Sequence, residues 1–244
     1  MIGVVVPAHN EAGVIAACLA SIAEAARCQA LAGMPVETVV VLDRCTDRTA
    51  GIAAAFGVNV QRLDAGNVGL ARAAGVAAVI ARGARWVACT DADTRVPPTW
   101  LSDQLALDCD AFCGMVEVDD WLDYAPGLRE RFDALHPRVW NHPHVHGANL
   151  GFSAAFYLAC GGFAPLRAHE DVALVEAMAR AGARIARAPA PLVTTSARRR
   201  ARSRDGFSDY LDALERRLAA APAAPRTHAA LPAPATLGTD AHAT

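Results

Sequence analysis

The sequence predicts an α/β protein built on a doubly wound, mostly parallel sheet, followed by a second half of mixed strand direction. Two observations favour this fold class. In the first half of the chain, short apolar runs alternate with segments of helical periodicity. The runs are also almost continuous in apolar residues, without polar residues at every second position. Strands of a parallel sheet have this composition because crossover helices cover both of its faces.

The first half, residues 1–95, repeats a strand followed by a helix. Residues 2–6 form an apolar run, and the segment 11–26 carries Ile15, Leu19 and Ile22 at helical spacing. The alternation then recurs, with strands predicted over 38–42, 58–63 and 86–90 and helices predicted over 47–55 and 70–82. This half is expected to form the parallel part of the sheet.

The second half, residues 96–218, is less regular. Helices are predicted over 99–107, 122–135, 154–160 and 170–181, and extended segments over 111–118, 148–153 and 192–195. A chain of 244 residues that is 53% hydrophobic supplies one sizeable core, so residues 1–218 are expected to form a single domain. Residues 219–244 are mostly Ala, Pro, Thr and His and bury too little apolar surface to offset ordering. They are predicted to be a disordered tail.

Composition excludes several classes of partner. A formal net charge of −2 creates no general attraction to nucleic acid or anionic lipid. The seven cysteines lack paired spacing, which favours reduced thiols over a disulfide framework. The chain enters a strand-like run directly after Met1 and contains no apolar stretch of membrane-spanning length. The expectation is a cytoplasmic protein with no transmembrane segment and no nucleic-acid partner.

Polar clusters follow the first, second and fourth predicted strands, at residues 7–11, 43–47 and 90–93. In an open parallel sheet, ligands bind outside the carboxyl ends of the strands, where such loops meet. Asp91 and Asp93 are separated by one residue and repel each other unless a cation or a donor group lies between them. Oxygen ligands of this kind suit Mg²⁺ or Mn²⁺ shared with phosphate oxygens. The pattern therefore indicates a diphosphate ligand.

Structural explanations of the same residues remain open at this point. Asn10 and Thr46 are good helix N-caps, and Asp47 would be favourable in a first helical turn. A turn could likewise account for Asp91 and Asp93.

Six segments, in this order and spacing, resemble the GT-A-fold family 2 glycosyltransferases. They are VVVPAHNE at the start, VVVLDRCTDRT, NVGLAR at 67–72, DAD at 91–93, GANLGFS through GGF at 147–163, and HED at 169–171. The resemblance extends over about 2–204. It implies the GT-A fold, with 1–95 as the nucleotide-binding half and 96–218 as the acceptor half. It also implies transfer of a sugar from a nucleotide-sugar donor, in particular a UDP sugar, to a hydroxyl acceptor that could be a small molecule, a lipid-linked compound or a glycan.

The resemblance also implies roles for individual residues. Asp43 would accept from a ring N–H of the base, and Asp93 would bind Mg²⁺ or Mn²⁺ together with Asp91. The full donor-binding set would be Pro7, Ala8, His9, Asn10, Glu11, Asp43, Asn67, Arg72, Asp91 and Ala92. On the acceptor side it would be Trp121, Gly147, Ala148, Asn149 and His169, and for Trp121 a surface turn is an equal alternative. For Arg72, a position on the surface of a helix is an equal alternative.

The chemistry of the transfer requires a base. An acceptor hydroxyl is a weak nucleophile, and a carboxylate that takes its proton contributes about 10²–10⁴-fold. Asp171, next to Glu170, matches the family's base motif, and one base acting on one face predicts inversion. Alternatively, the two acids only stabilise the first turn of a helix. The QxxRW motif of processive synthases is absent, which favours single-sugar transfer.

Other functions are weaker explanations. A nucleotidyltransferase would need a glycine-rich basic loop after the first strand, and a dehydrogenase would need GxGxxG there. Residues 7–11 contain neither. A catalytically silent nucleotide-sugar-binding module is disfavoured by the presence of Asp91, Asp93 and Asp171.

Two further segments leave alternatives open. The histidine-rich stretch 141–146 could be a zinc site, but the lack of suitably spaced Cys or acidic partners favours a loop facing the acceptor. The basic run 198–204 could be a solvated segment or a lid whose arginines reach the diphosphate.

Overall fold

The computed structural model describes residues 1–199 and 206–220, which form one eight-stranded sheet with helices on both faces. The strands are β1 (Ile2–Ala8), β2 (Val36–Asp43), β3 (Asn59–Leu63), β4 (Trp86–Cys89), β5 (Thr94–Arg95), β6 (Ala111–Val118), β7 (Leu150–Ser153) and β8 (Ile185–Thr195). Their order across the sheet is β3-β2-β1-β4-β7-β6-β8-β5.

Strand direction divides the sheet into a parallel part and a mixed part. The neighbours β3, β2, β1 and β4 are all parallel. Beyond β4, the strand β7 is antiparallel to both of its neighbours, while β6 and β8 are parallel to each other and β5 is antiparallel to β8. The predicted fold class, a mostly parallel sheet with a mixed second half, is confirmed.

The helices are α1 (Ile15–Ala25), α2 (Thr49–Ala55), α3 (Val68–Ala81), α4 (Trp100–Ala106), α5 (Leu128–Leu135), α6 (Ala154–Ala159), α7 (Glu170–Arg180) and α8 (Phe207–Ala220). Short 3₁₀ helices cover Gln29–Leu31 and Gly147–Asn149. Alternate residues of β1 face opposite cores: Val4 and Val6 pack in the core that includes α1 and α2, and Val5 packs in the core that includes α3. Both faces are thus covered, which explains the continuous apolar runs of the strands.

Close packing of α3 on the sheet depends on small residues. A Cβ atom at Gly75 would overlap the side chain of Val5 in β1. The glycine therefore allows α3 to lie directly against β1 and β2. This packing brings the N-terminus of α3, at Asn67, to the carboxyl edge of the parallel strands.

Several elements differ from the sequence prediction. Helix α5 begins at Leu128 instead of residue 122, because Gly127 precedes it with a φ of 88° that helical geometry does not allow. Strand β8 begins seven residues earlier than predicted, and its prolines lie where its pairing with β6 is interrupted, between Gly114 and Val116.

Helix α8 was not predicted. Its buried residues Leu211 and Leu214 have helical spacing that could have revealed it. Ala219 and Ala220 form its last residues, although the tail was predicted to begin at 219. The rest of that predicted tail lies outside the described residues, as does most of the basic run.

Candidate active site

A cleft of about 610 Å³ lies at the carboxyl edge of the parallel strands. Because β2, β1 and β4 are adjacent and parallel, the loops after them open on the same edge. We call this cleft the first cleft. Eight of the ten predicted donor-binding residues line it: Pro7, Ala8, His9, Glu11, Asp43, Asn67, Asp91 and Ala92; the predicted metal ligand Asp93 lines it as well.

Asn10 does not line the first cleft but joins the loops that form it. Its Oδ1 atom accepts from the backbone N–H groups of Thr46, at 2.8 Å, and Asp47, at 3.2 Å. The helices α1 and α2 begin after Val14 and Arg48, without a side-chain cap. The capping interpretation of Asn10 and Thr46 is therefore wrong, because Asn10 connects two loops.

Asp43 is held by the loop that leads into α3. Its carboxylate accepts from the backbone N–H groups of Ala65 (2.8 Å), Gly66 (2.9 Å) and Asn67 (2.8 Å). Burial of Asp43 opposes its charge, but these three donors outweigh burial and hold the pKa of the carboxyl below its ordinary value. The Nδ1 atom of His9 donates to the carbonyl of Asp43 at 2.7 Å. Asp43 is thus an ionised, rigidly held acceptor.

Arg72 is buried in the wall of the site. Its guanidinium donates to Asp91 at 2.5 Å and pairs with Glu170, which is 3% exposed. A Cβ atom on Gly147 would overlap this guanidinium, so glycine leaves the space that the arginine occupies. The alternative that Arg72 is a surface helix residue is wrong, because its side chain is 5% exposed.

Asp93 shares a second arginine with Glu11. Arg198 makes a bidentate pair with Glu11, at 2.5 and 2.6 Å, and its Nη2 atom lies 3.2 Å from Asp93. Burial of Asp93 raises its pKa to about 6, against the lowering effect of Arg198. Asp91 and Asp93 therefore do not share one counterion, since each carboxylate contacts its own guanidinium.

A second cleft, of about 350 Å³, adjoins the first. The two share residues of their walls, among them Asp91 and Arg167. The second cleft is lined by the predicted base candidates Glu170 and Asp171 and by the predicted acceptor-side residues Gly147, Ala148 and His169. The geometry thus brings most residues predicted for the two sides of the reaction onto adjoining surfaces.

Asp171 is oriented by two backbone donors. Its Oδ2 atom accepts from Gly147 N at 2.7 Å, and its Oδ1 atom accepts from Val172 N at 2.8 Å. Glu170, at the first position of α7, instead faces Arg72. The two neighbouring acids therefore differ in environment: one is buried against an arginine and the other is partly exposed in the second cleft.

Two predicted acceptor-side residues do not line either cleft. Asn149 is fully buried, where it accepts from Trp100 Nε1 at 2.9 Å and donates to the carbonyls of Met115 and Pro191, both at 2.8 Å. Trp121 packs against Phe132, with ring centroids 5.4 Å apart. Their positions in the structure are those of packing residues.

The histidine-rich loop forms one wall of the second cleft. Arg187 holds it by donating to the carbonyls of Pro143, at 3.1 Å, and His144, at 3.2 Å. The ring of His144 stacks on that of His136, with centroids 4.4 Å apart. Burial, with help from neighbouring imidazoles, lowers the pKa of His144 to about 4 and that of His146 to about 3. Both rings are therefore neutral near pH 7. Across 1–199 and 206–220, no three Cys, His, Asp or Glu side chains are grouped as in a metal site.

Sequence reasoning missed several lining residues. Arg167 and Thr195 line both clefts, and Phe207 of α8 does so too. The helical spacing of Phe207, Tyr210 and Leu214 could have indicated α8. Nothing in the pattern of residues around Arg167 or Thr195 distinguishes them from other loop residues.

The fold is that of the GT-A class of glycosyltransferases. The sequence model described as Glycosyl transferase family 2 matches residues 3–167, more than half of the chain. The protein belongs to this family of enzymes, as the sequence motifs predicted. No curated protein sequence matches the chain.

Solved structures of three glycosyltransferases share the fold. TarS of S. aureus, residues 1–349 in complex with UDP-GlcNAc, matches with a TM-score of 0.64 and 19% identity, over 84% of this chain and 61% of TarS 1–349. The mannosyltransferase PcManGT from Pyrobaculum calidifontis, in complex with GDP-Man and Mn²⁺, matches with a TM-score of 0.59 and 20% identity, over 82% of this chain and 57% of its own.

The third is glucosyl-3-phosphoglycerate synthase from Mycobacterium tuberculosis, in complex with Mn²⁺, UDP and glucosyl-3-phosphoglycerate. It matches with a TM-score of 0.55 and 20% identity, over 90% of this chain and 77% of its own. The chain thus spans less than two thirds of the first two proteins.

None of the helices in the described part of the chain is long and apolar enough to cross a membrane.

Proposed function

We propose that the protein transfers a sugar from a nucleotide diphosphate sugar, a UDP sugar, to a hydroxyl group of an acceptor, with inversion and with Mg²⁺ or Mn²⁺. The observation that carries the proposal is the meeting of two clefts at Asp91. One cleft has Asp93 in its wall, and the other has Asp171. A donor in the first cleft would present its sugar to an acceptor in the second.

The first cleft is suited to a nucleotide. Oδ1 of Asp43 receives two backbone N–H groups and Oδ2 receives one. Since a carboxylate oxygen can accept two hydrogen bonds, Oδ2 can accept a further one from a ring N–H of the base. Uracil and guanine both offer such a group. Two of the three similar proteins were solved with UDP or UDP-GlcNAc, and the third with GDP-Man.

The residues around Asp93 fit a divalent cation. Asp93 already contacts a positive group, the guanidinium of Arg198, so its carboxylate is directed at a cationic position beside the first cleft. Asp93, together with Asp91, would hold the metal, and phosphate oxygens and water would complete an oxygen-rich shell. The bound ion would supply stabilisation of the negative charge that gathers on the departing diphosphate.

Asp171 is positioned to act as the general base. The N–H groups of Gly147 and Val172 fix the direction of its carboxylate. As the acceptor oxygen bonds to the anomeric carbon, Asp171 would take the hydroxyl proton, and the bond from that carbon to the diphosphate would break. A single displacement of this kind inverts the anomeric centre. Glu170 is paired with Arg72 and would instead position that arginine beside Asp91.

All seven cysteines are free thiols in the structure. Reduced thiols are typical of a reducing compartment. We therefore place the protein in the cytoplasm.

A binding panel followed by a transfer assay tests the function. Thermal unfolding would be followed with UDP, GDP and ADP, each with and without Mn²⁺. A ligand at one hundred times its dissociation constant stabilises by about 2.7 kcal/mol. UDP with Mn²⁺ is expected to give the largest shift in unfolding temperature. A larger shift with GDP would instead identify a guanosine diphosphate donor. If none of the nucleoside diphosphates stabilises the protein, the proposal is refuted.

Release of UDP from UDP sugars would then be measured. Turnover separates an enzyme from a silent binding module, because a module would bind the donor without releasing UDP.

A further inference from the structure

Arg198 occupies a position between two acids of the first cleft. It contacts both oxygens of Glu11, at 2.5 and 2.6 Å, and Nη2 also lies 3.2 Å from Oδ2 of Asp93. The two acids are largely buried, Glu11 with a side-chain exposure of 6% and Asp93 with 13%. One guanidinium thus neutralises carboxylates that come from the loops after β1 and β4.

We propose that Arg198 is an internal counterion that competes with the divalent cation for Asp93 and thereby couples binding of the cation to binding of the nucleoside diphosphate. The inference rests on the proposed function, because it takes Asp93 as a ligand of the cation. A divalent ion bound at Asp93 would face the positive charge of Arg198 across a few ångströms. The two cations repel, so one of them has to yield its contact with Asp93.

The free energy needed to displace Arg198 from Asp93 depends on whether a diphosphate is bound. When the cation binds alone, Arg198 loses one of its two carboxylate partners and gains nothing. When the cation binds with a nucleoside diphosphate, the displaced guanidinium finds phosphate oxygens, which arginine binds in a bidentate manner. Arg198 stays within reach of them because Glu11 still holds it and because it lines the first cleft. The protein is therefore expected to bind free Mn²⁺ poorly and Mn²⁺ with UDP well.

Arg198 and its neighbour Arg199 have different partners. Arg198 comes three residues after the end of β8 at Thr195. The next residue, Arg199, has contacts of its own. Arg199 pairs with Glu215 of α8 through two contacts of 2.8 Å, and its guanidinium lies 4.2 Å from the ring centroid of Tyr124. The contacts of Arg199 are thus separate from those of Arg198. Arg199 also provides a matched control, since it carries the same charge but has contacts with neither Glu11 nor Asp93 among its ion pairs.

The experiment measures Mn²⁺ affinity of the full chain at pH 8, with and without UDP, from the electron paramagnetic resonance signal of free Mn²⁺. Arg198→Gln is expected to bind Mn²⁺ alone about tenfold more tightly than the wild type, because the competing charge is gone. The factor by which UDP tightens Mn²⁺ binding is expected to fall by a similar amount. Arg199→Gln is expected to match the wild type in both quantities.

Three outcomes distinguish failure of this inference from failure of the proposed function. If the wild type binds Mn²⁺ with UDP but Arg198→Gln shows the wild-type affinity and coupling, the inference is overturned and the function stands. If Arg199→Gln shows the same changes as Arg198→Gln, the effect is one of general charge and the inference also fails. If the wild type does not bind Mn²⁺ with UDP at all, the proposed function itself fails.

Arg198→Gln leaves Glu11 buried with one charged partner fewer, so circular dichroism would check that this variant is folded. A second variant, Arg198→Lys, keeps the inference testable if Arg198→Gln does not fold. Arg198→Lys keeps the charge but cannot span both acids bidentately. It is expected to raise the affinity for Mn²⁺ in the same direction by a smaller factor, and an unchanged affinity would count against the proposal.

Discussion

The guanidinium of Arg72 lies 2.5 Å from the carboxylate of Asp91, a residue that lines both clefts. The same guanidinium pairs on its other side with Glu170, at the start of α7. A residue of the first half of the chain thus connects an acid of the first cleft to an acid of the second. The position of Asp91 and the start of α7 are expected to depend on each other through Arg72.

Replacement of Arg72 is the most direct test of this connection. Arg72→Ala leaves Glu170 buried without its arginine, and breaking a buried ion pair in this way typically costs about 3–5 kcal/mol. Urea unfolding should show a loss of that order in the free energy of unfolding. Arg82→Ala, which removes the partly exposed pair with Glu37, should cost about 0–1 kcal/mol. Equal losses in the two variants would contradict the role of Arg72.

Substitution of Gly147 tests the packing around Arg72 without removing a charge. A Cβ atom there would overlap Arg72, so Gly147→Ala should destabilise the protein by about 1–3 kcal/mol, as overpacking does. Gly51 lies inside α2, and a Cβ atom added to it would have no neighbouring atom within 4 Å. Gly51→Ala should stabilise by about 0.4–1 kcal/mol. Thermal unfolding of both variants measures the contrast, and a neutral Gly147→Ala would mean that the guanidinium moves aside easily.

Removal of the proposed base should separate chemistry from binding. Asp171→Ala is expected to leave the affinity for UDP with Mn²⁺ unchanged and to reduce turnover by about 10²–10⁴-fold. Glu176→Ala, on the same helix, removes an exposed acid that pairs with Arg180 and serves as the control. Steady-state kinetics and calorimetric titration check the two quantities. Unchanged turnover in Asp171→Ala would refute its assignment as the base.

Removal of the proposed metal ligand should weaken the binding of the donor nucleotide. Asp93→Ala is expected to abolish the part of donor binding that depends on Mn²⁺ and to retain weaker binding of UDP in the presence of a chelator. Thermal shifts with and without Mn²⁺ measure this difference. Asp103→Ala, in α4, removes a contact with Thr99 and should behave as the wild type. A full Mn²⁺-dependent shift in Asp93→Ala would place the cation elsewhere.

The hydrogen bonds to Asp43 predict a pH dependence of stability. The pKa of Asp43 is lower in the folded protein than its ordinary value of 3.8. The unfolded chain therefore binds its proton more readily, and the stabilisation from Asp43 is present above about pH 3.8 and is lost as the pH falls through the folded pKa.

The matching experiment compares Asp43→Asn with the wild type by urea unfolding at pH 7, 4.5 and 3. The variant should be less stable at pH 7 and 4.5, and the difference should shrink at pH 3. Asp108→Asn, which alters an acid with 96% side-chain exposure, should show no comparable change. A difference that is constant from pH 7 to pH 3 would argue against the charged form of Asp43 as the stabilising one.

The sequence motifs located the edge of the sheet that carries the site. Strands with continuous apolar residues identify a parallel sheet, and polar residues directly after them must lie at its carboxyl edge. This local rule predicted the grouping of Pro7, Asp43 and Asp91 at the first cleft. Local periodicity predicted the helices less well where glycine and proline interrupt it, as before Leu128.

The partners of the acids could not be read from the same pattern. Asp91 and Asp93 suggested one shared cation, but each contacts a different arginine. Similarly, Asn10 matched a helix cap and instead bonds to the loop after β2. Short-range patterns contain no information about which distant loop fills the space beside a side chain.

Residue order and periodicity alone thus determined the fold class and the edge of the sheet that carries the site, and the resemblance of six motifs indicated the family. Only the packed chain decided that Arg72 meets Glu170 across 98 residues and that Arg198 meets Glu11 across 187 residues. The physical reason is that strand and helix patterns arise from neighbouring residues, whereas a buried charge is paired by whichever opposite charge the whole fold brings within a few ångströms.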